Sequence, residues 1–355
     1  MQTRTRSLPV VFLCAFTVLF FSCSIASSAG IPLLSNNSKW KTVRSTKRSV
    51  TKTSRTNAYA TSNKSTKARI AVLGRAGSIS SIKKRVGSVV TKATTKRLNR
   101  KISSRSAIII DAVSGKTLYS RNPDNPRQPA STIKVLTGMI ALKSLKKNDH
   151  VSVSRKAARQ PRSKVYLDRK KQYKASDLIN AVLLASANDA SVALAEKIAG
   201  TEKSFAKMMT LRAKLWGANK TVCKTATGLT AKGQKSTARD LATIFRHAMN
   251  DAEFSRRMKR VKARTSEGKL LRNHNRALWQ VKGTLGGKTG YTNAARQTYV
   301  GKFKRGKDEI IVAIMGSETM WTDIKRLVRY GFNKKVALSN EMDAMGEAVE
   351  LVADL

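Results

Sequence analysis

The sequence predicts an α+β domain: one antiparallel sheet flanked by helices, with an all-helical lobe inserted between its strands. Three observations predict it. Apolar runs of strand character lie at both ends of the candidate domain, near 107–119 and 281–315. Helical periodicity fills the stretch between them. Tight-turn signals at Ser114-Gly115 and Lys304-Arg305-Gly306-Lys307 join neighbouring runs, which makes those pairs hairpins.

Taken in order, Ala107-Ile108-Ile109-Ile110-Asp111 reads as a buried strand, and Lys116 to Tyr119 returns beside it. Asn122 to Pro129 holds three prolines and is loop. Ser131 to Leu145 is a helix with Ile133, Leu136, Ile140 and Leu145 on one side. Asp177 to Ala185 and Ala190 to Ala199 are two helices, interrupted at Ser186-Ala187-Asn188. Phe205 to Leu215 and Thr237 to Met249 follow as amphipathic helices, the second opened by Ser236 as its cap. The period then changes to two, and Val281–Thr289, Thr298–Phe303 and Ile310–Met315 are strands. Trp321 to Tyr330 closes the fold as a helix that Gly331 stops. The domain so delimited spans 105–335, and 336–355 forms an acidic tail with five acids.

Charge organises the remainder. The 355 residues carry a formal net charge of +49, and no Asp or Glu precedes Asp111. Residues 30–104 are rich in Ser, Thr, Lys, Arg and Asn and poor in large apolar side chains. Such a segment buries too little surface to offset chain entropy, so a disordered basic linker is expected there. It reads either as a cationic tether to anionic envelope polymers or as a solubilising linker. Arg4 and Arg6 precede an apolar run from Leu8 to Phe21 and small residues ending Ser27-Ser28-Ala29. That layout predicts a secretory signal over 1–29 and an extracytoplasmic, periplasmic or membrane-associated protein. Export demotes nucleic acid as the polyanion. Cys14 and Cys23 fall in the signal, so Cys223 is alone in the mature chain and makes no intramolecular disulfide. His150, His247 and His274 show no metal-ligand spacing, and no metal is expected.

Chemistry enters with Pro129-Ala130-Ser131-Thr132-Ile133-Lys134. Residues three apart on a helix share a face, so the Lys134 amine points back at the Ser131 hydroxyl. A serine needs a neighbouring base to attack a carbonyl, and a lysine serves only if burial or nearby cations keep it neutral. Ser186 sits on the predicted helix break, where a hydroxyl relays a proton to a leaving amine. Asn188 offers both donor and acceptor to a substrate amide. Lys288, Thr289 and Gly290 fall in a predicted edge strand. There Lys288 biases the potential, Thr289 donates to a carboxylate, and Gly290 lets substrate backbone come close. The backbone N–H groups of Ser131 and Tyr291 are the expected oxyanion donors. Each motif alone is weak, since Ser131 reads equally as a helix cap; their order and settings make an acyl-transfer site.

With Ser186-Ala187-Asn188-Asp189-Ala190, Thr227-Gly228-Leu229, Ser236-Thr237-Ala238-Arg239-Asp240 and Lys288-Thr289-Gly290-Tyr291-Thr292, the chain resembles the low-molecular-mass penicillin-binding proteins. More narrowly it resembles the D-alanyl-D-alanine carboxypeptidase family, over roughly Ala107 to Phe332. The resemblance implies a β-lactamase/transpeptidase-like fold and a substrate that is the peptidoglycan stem ending in D-Ala-D-Ala. It implies an acyl-enzyme on Ser131, β-lactams as covalent inhibitors, and no cofactor. Two departures touch the site rim: Ala294-Ala295 is followed by Arg296 rather than glycine, and Glu318 stands where some carboxypeptidases have arginine. The β-rich C-terminal domain and amphipathic helix of many relatives are not expected after Phe332. The leading reading is a D,D-carboxypeptidase. The alternatives are a D,D-endopeptidase cutting cross-links and a catalytically weak cationic envelope-binding protein. A serine β-lactamase is disfavoured, because no Glu-x-x-Leu-Asn lies between Asn188 and Lys288.

Overall fold

The computed structural model describes residues 93–353. The expected signal and most of the basic segment therefore lie outside the described residues. Residues 93–101 form helix α1. Strands β1 (Ser106–Asp111) and β2 (Thr117–Arg121) follow, then a 3₁₀ turn at Ala130–Ile133 that runs into α2 (Lys134–Ser144). The helical lobe continues with β3 (His150–Ser152), α3 (Arg155–Ala158), β4 (Gln172–Lys174), α4 (Ala175–Leu183), α5 (Asn188–Ala199) and α6 (Glu202–Leu215). It ends with α7 (Ala238–Met249), α8 (Ala252–Met258) and the small hairpin β5 (Lys262–Arg264) and β6 (Leu270–Arg272). After α9 (Ala277–Gln280), the chain returns as β7 (Thr284–Thr292), β8 (Arg296–Arg305), β9 (Asp308–Ser317) and α10 (Met320–Ala353).

The five-stranded sheet has the order β2-β1-β9-β8-β7, antiparallel throughout. The first strand pairs with the last, Ser106 opposite Met315 and Asp111 opposite Ile310. So the sheet is built from both ends of the domain, and the lobe is the excursion between them. Successive strand residues face opposite sides, and here both sides are covered. Ile108, Ile110, Ile311, Ala313 and Met315 join the core shared with the lobe. Ala107, Ile109, Ile310, Val312 and Ile314 join a second core under α1 and α10. A strand buried on both faces reads as a continuous apolar run, which is why Ile108-Ile109-Ile110 was legible.

Three expectations need correction. Order begins before Arg105: the last twelve residues of the expected linker, 93–104, are folded. Leu98 and Ile102, one helical turn apart, are 7% and 5% exposed against α10 and the sheet. Burying each is worth about 1.5–3 kcal/mol. The buried Asp323 carboxylate then accepts the N–H groups of Ser103 and Ser104 at 3.0 and 2.8 Å. Two apolar residues among so many cations were too few to outweigh the composition.

Gly331 does not stop the last helix, which runs unbroken from Met320 to Ala353. A Cβ at Gly331 would meet Ile310 Cδ1 at 2.8 Å and Ile109 Cγ2 at 3.0 Å. The glycine lets α10 lie close on the sheet, and that contact outweighs the ~1 kcal/mol helix penalty. The expected acidic tail is the far end of this helix. At α7 the cap is Thr237, whose side chain accepts the Asp240 N–H, while Ser236 is buried against Thr221.

Candidate active site

Ser131 lies inside the 3₁₀ turn and Lys134 is the first residue of α2. A 3₁₀ turn has three residues per turn, so residues i and i+3 eclipse. Lys134 Nζ consequently sits 2.9 Å from Ser131 Oγ. The turn makes no side-chain cap hydrogen bond, so the reading of Ser131 as a helix cap fails. Lys134 is 0% exposed, and its Nζ also lies 2.7 Å from Asn188 Oδ1 and 2.6 Å from the Thr227 carbonyl. Burial, then the charge of Lys288, hold the Lys134 amine well below the usual lysine range, against the opposing pull of Asp189. The helix N-terminus behind it also disfavours a cation. A neutral amine has two N–H groups and one lone pair. The two carbonyl oxygens take both N–H groups, which leaves the lone pair for the Ser131 hydroxyl proton.

The helix break holds Ser186 in the left-handed region, φ +57°, between α4 and α5. A non-glycine residue there is strained, and the turn carries the hydroxyl to Lys288 Nζ at 2.9 Å. Asn188 starts α5, 2% exposed. Its Oδ1 accepts a hydrogen bond from Lys134 Nζ while its Nδ2 donates to the Pro161 carbonyl at 2.9 Å. Beside it the buried Asp189 carboxylate accepts the N–H groups of Val165 and Leu167. The Ser186-Ala187-Asn188-Asp189 run thus joins the nucleophile to the loop at 161–167.

Lys288, Thr289, Gly290 and Tyr291 lie on β7, the edge of the sheet. Lys288 is 1% exposed, and burial lowers its amine to about 7. Thr289 is half-buried, and Tyr291 is 58% exposed with its hydroxyl on Asn293. Gly290 needs a correction. The space its side chain would fill is occupied by the enzyme itself, with Thr298 Oγ1 at 2.6 Å, the Ser131 nitrogen at 2.7 Å and Ala130 Cβ at 3.0 Å. The glycine seats the edge strand against the nucleophile turn.

Sequence reasoning missed three contributors. The Thr227 carbonyl is a backbone group without a side-chain signature. Its neighbour Gly228 did carry a signal, for φ is +79° and a Cβ would meet the Ala130 carbonyl oxygen at 2.0 Å. Asp189 acts through backbone N–H groups 22 and 24 residues earlier in the chain. His274 shows no metal-ligand spacing in the sequence; its main-chain N–H donates to the Leu184 carbonyl at 3.1 Å. Burial, then the charges of Lys288 and Lys134, lower its imidazole to about 4, so it is neutral at ordinary pH. At the rim, Arg296 and Glu318 form a two-pronged ion pair of 2.9 and 2.5 Å, so that arginine is already spoken for. Among the described residues no three His, Cys, Asp or Glu side chains are grouped to hold a metal.

An antiparallel sheet with a helical lobe, a serine facing a buried lysine, and a second lysine on the sheet edge define a serine acyl-transfer enzyme of the penicillin-binding type. The profile of the D-alanyl-D-alanine carboxypeptidase family matches residues 90–319, and the chain belongs to that family of serine peptidases. It is 36% identical over 236 residues to the D-alanyl-D-alanine carboxypeptidase DacB2 of Mycobacterium tuberculosis, covering 63% of this chain and 81% of the relative. To DacF of Bacillus subtilis it is 31% identical over 230 residues, covering 61% of this chain and 58% of that relative. The chain thus spans about three fifths of that longer relative. The crystal structure of a D-alanyl-D-alanine carboxypeptidase from Mycobacterium tuberculosis superposes with a TM-score of 0.62 at 33% identity, over 65% of this chain and 91% of that one. Penicillin-binding protein D2 of Listeria monocytogenes, solved with cefotaxime bound, superposes with a TM-score of 0.60 at 26% identity, over 65% and 98%.

Proposed function

We propose that this chain is a serine D,D-carboxypeptidase that removes the terminal D-alanine from peptidoglycan stem peptides. One observation carries the reading: a fully buried lysine amine, 2.9 Å from the Ser131 hydroxyl, has both its N–H groups committed to carbonyl oxygens. Lys134 takes the Ser131 proton as Ser131 Oγ attacks the carbonyl between the two D-alanines. The N–H groups of Ser131 and Tyr291 receive the developing oxyanion. Ser186, polarised by Lys288, relays that proton from Lys134 to the leaving amine of the terminal D-alanine, which restores both the neutral Lys134 amine and the Ser186 hydroxyl. Water then adds to the acyl-Ser131 carbonyl, with Lys134 taking its proton and returning it to Ser131 Oγ as the C–O bond breaks and the shortened stem leaves. Asn188 holds the substrate amide, while Lys288 and Thr289 meet the terminal carboxylate. The open edge of β7 receives the peptide as an added strand. β-Lactams acylate the same serine, as the cefotaxime-bound relative supports.

The second reading, a D,D-endopeptidase, uses the same machinery on a cross-linked stem. Purified residues 30–355 and Ser131→Ala, incubated with pentapeptide muropeptides and cross-linked dimers, separate the two by mass spectrometry. Release of D-alanine by the parent alone supports the carboxypeptidase. Splitting of dimers without D-alanine release replaces it with the endopeptidase, and no product from either contradicts both.

The cellular setting belongs to the same proposal. Residues 1–29 act as a secretory signal, the domain works outside the cytoplasm, and the basic segment from residue 30 tethers it to anionic envelope polymers. Among the described residues no helix is long and apolar enough to cross a membrane. Deleting 30–92 reduces sedimentation with cell-wall material, and binding of the parent weakens with salt because exposed charges are screened beyond ~8–10 Å. Salt-independent binding contradicts the tether.

A further inference from the structure

The loop from Pro161 to Leu167 is fastened to the active site at every second residue. The Pro161 carbonyl accepts from Asn188 Nδ2, and the Ser163 carbonyl accepts the Asn188 N–H at 2.7 Å. The Val165 and Leu167 N–H groups donate to Asp189. Of the intervening residues, Arg162 and Tyr166 are exposed and Lys164 is half-buried. Tyr166 is 58% exposed and its backbone is left-handed, φ +59°. No burial repays that conformation in a residue with a bulky side chain.

These side chains form one cluster. Arg162 Nε donates to the Tyr166 hydroxyl at 3.0 Å. Lys164 and Lys269 place their ammonium groups 5.3 and 5.7 Å from the Tyr166 ring centre. Lys269 reaches across from the β5–β6 hairpin and also donates to the Val165 carbonyl. Among the described residues, none of Arg162, Lys164 and Lys269 pairs with a carboxylate. The nearby acids are committed elsewhere. Asp168 caps the Lys170 N–H, Asp177 takes the Ser266 hydroxyl, and Glu267 lies 3.9 Å from Lys171. The active site is therefore flanked by three unneutralised cations around one exposed aromatic ring.

We infer that Arg162, Lys164, Tyr166 and Lys269 form a subsite that reads a free carboxylate on the acyl-donor peptide, upstream of its D-alanine pair. This rests on the D,D-peptidase reading and names the substrate class within it. A guanidinium matches the planar carboxylate with two parallel N–H groups, and the two ammonium groups add attraction. The position selects the peptide itself rather than a distant polymer. The loop is hydrogen-bonded to Asn188, and Asn188 contacts the base of the nucleophile. Amidation of that carboxylate removes the charge and the acceptor pair together, so the subsite separates amidated from free stems.

The test uses two acetylated peptides, X-D-Ala-D-Ala, alike except that the side chain of X ends in a carboxylate or its carboxamide. Two readouts run on the parent, on Arg162→Ala/Lys269→Ala and on Arg162→Lys: D-alanine release, and competition against penicillin labelling. The parent prefers the carboxylate peptide about fivefold at low salt, the scale of a few exposed ion pairs, and the preference shrinks with added salt. In the double variant the ratio falls to near one, and Arg162→Lys retains part of it. General loss of activity cancels in a ratio of two peptides on one protein. D-alanine released equally from both peptides by the parent overturns the subsite and leaves the D,D-peptidase standing. The same preference in the double variant also overturns it. Preferential competition by the carboxylate peptide without D-alanine release overturns the peptidase reading and supports the subsite.

Discussion

The active site has two buried lysines, and they are not equivalent. Lys134 stands on the floor, at the start of α2, with three partners around its nitrogen. Lys288 stands on the wall, on the sheet edge, with the Ser186 hydroxyl and the Thr289 carbonyl. Both are desolvated, but Lys134 also feels the charge of Lys288, and its amine is driven well below the usual lysine range. Lys288 is lowered to about 7 by burial alone. The floor lysine is built to be a neutral base. The wall lysine is built to be a cation that titrates near neutrality. Position in the fold, not residue type, assigns the two roles.

Arginine substitution breaks the comparison most sharply. Arginine stays protonated in proteins, so Lys134→Arg loses the base and acylation falls by about 10²–10⁴. Lys288→Arg keeps the charge and loses far less, about tenfold, the scale of one misplaced hydrogen bond. Stopped-flow acylation with a chromogenic β-lactam measures both. Equal losses in the two variants contradict the division of roles.

The pH profile sharpens it. Lys134 must be neutral, so kcat/KM falls as pH drops through its lowered value. Lys288 must be charged, so kcat/KM also falls as pH rises through about 7. The expected profile is a bell whose alkaline limb moves upward in Lys288→Arg. A limb unmoved in that variant assigns it to another group.

Two glycines give the structural counterpart. Gly290→Ala drives a methyl into the Ser131 nitrogen and Ala130. Overpacking of this kind costs about 1–3 kcal/mol, and here it displaces the nucleophile turn, so acylation falls along with stability. Gly331→Ala meets Ile310 and Ile109 on the far side of the sheet. Its helix-propensity gain of up to ~1 kcal/mol offsets part of the overpacking. Thermal unfolding then shows a small loss while kcat/KM is unchanged. Loss of activity in Gly331→Ala at temperatures where it is folded contradicts this separation.

What was legible follows from how far each signal reaches along the chain. Ile108 to Ile110, the helical spacing of α2 and the Ser131–Lys134 pair are local patterns, and each appears where expected. The Lys288–Ser186 contact spans 102 residues, and only the order of the motifs hinted at it. Backbone contributors left no trace, which is why the Thr227 carbonyl was missed and why Gly290 was read as room for substrate. Leu98 and Ile102 were hidden by the cations around them, since composition averages over the two residues that do the packing. Gly331 was read by its local helix propensity, and a contact with the sheet overrode it.

The central claim is that Ser131 attacks with Lys134 as its neutral base. It is tested most directly by intact mass and peptide mapping after timed exposure to penicillin, for the parent, Ser131→Ala and Lys134→Arg. The account predicts one adduct on the peptide carrying Ser131 in the parent. It predicts none in Ser131→Ala, and slow formation at the same position in Lys134→Arg. An adduct on another serine, or a Lys134→Arg protein that acylates as fast as the parent, contradicts it.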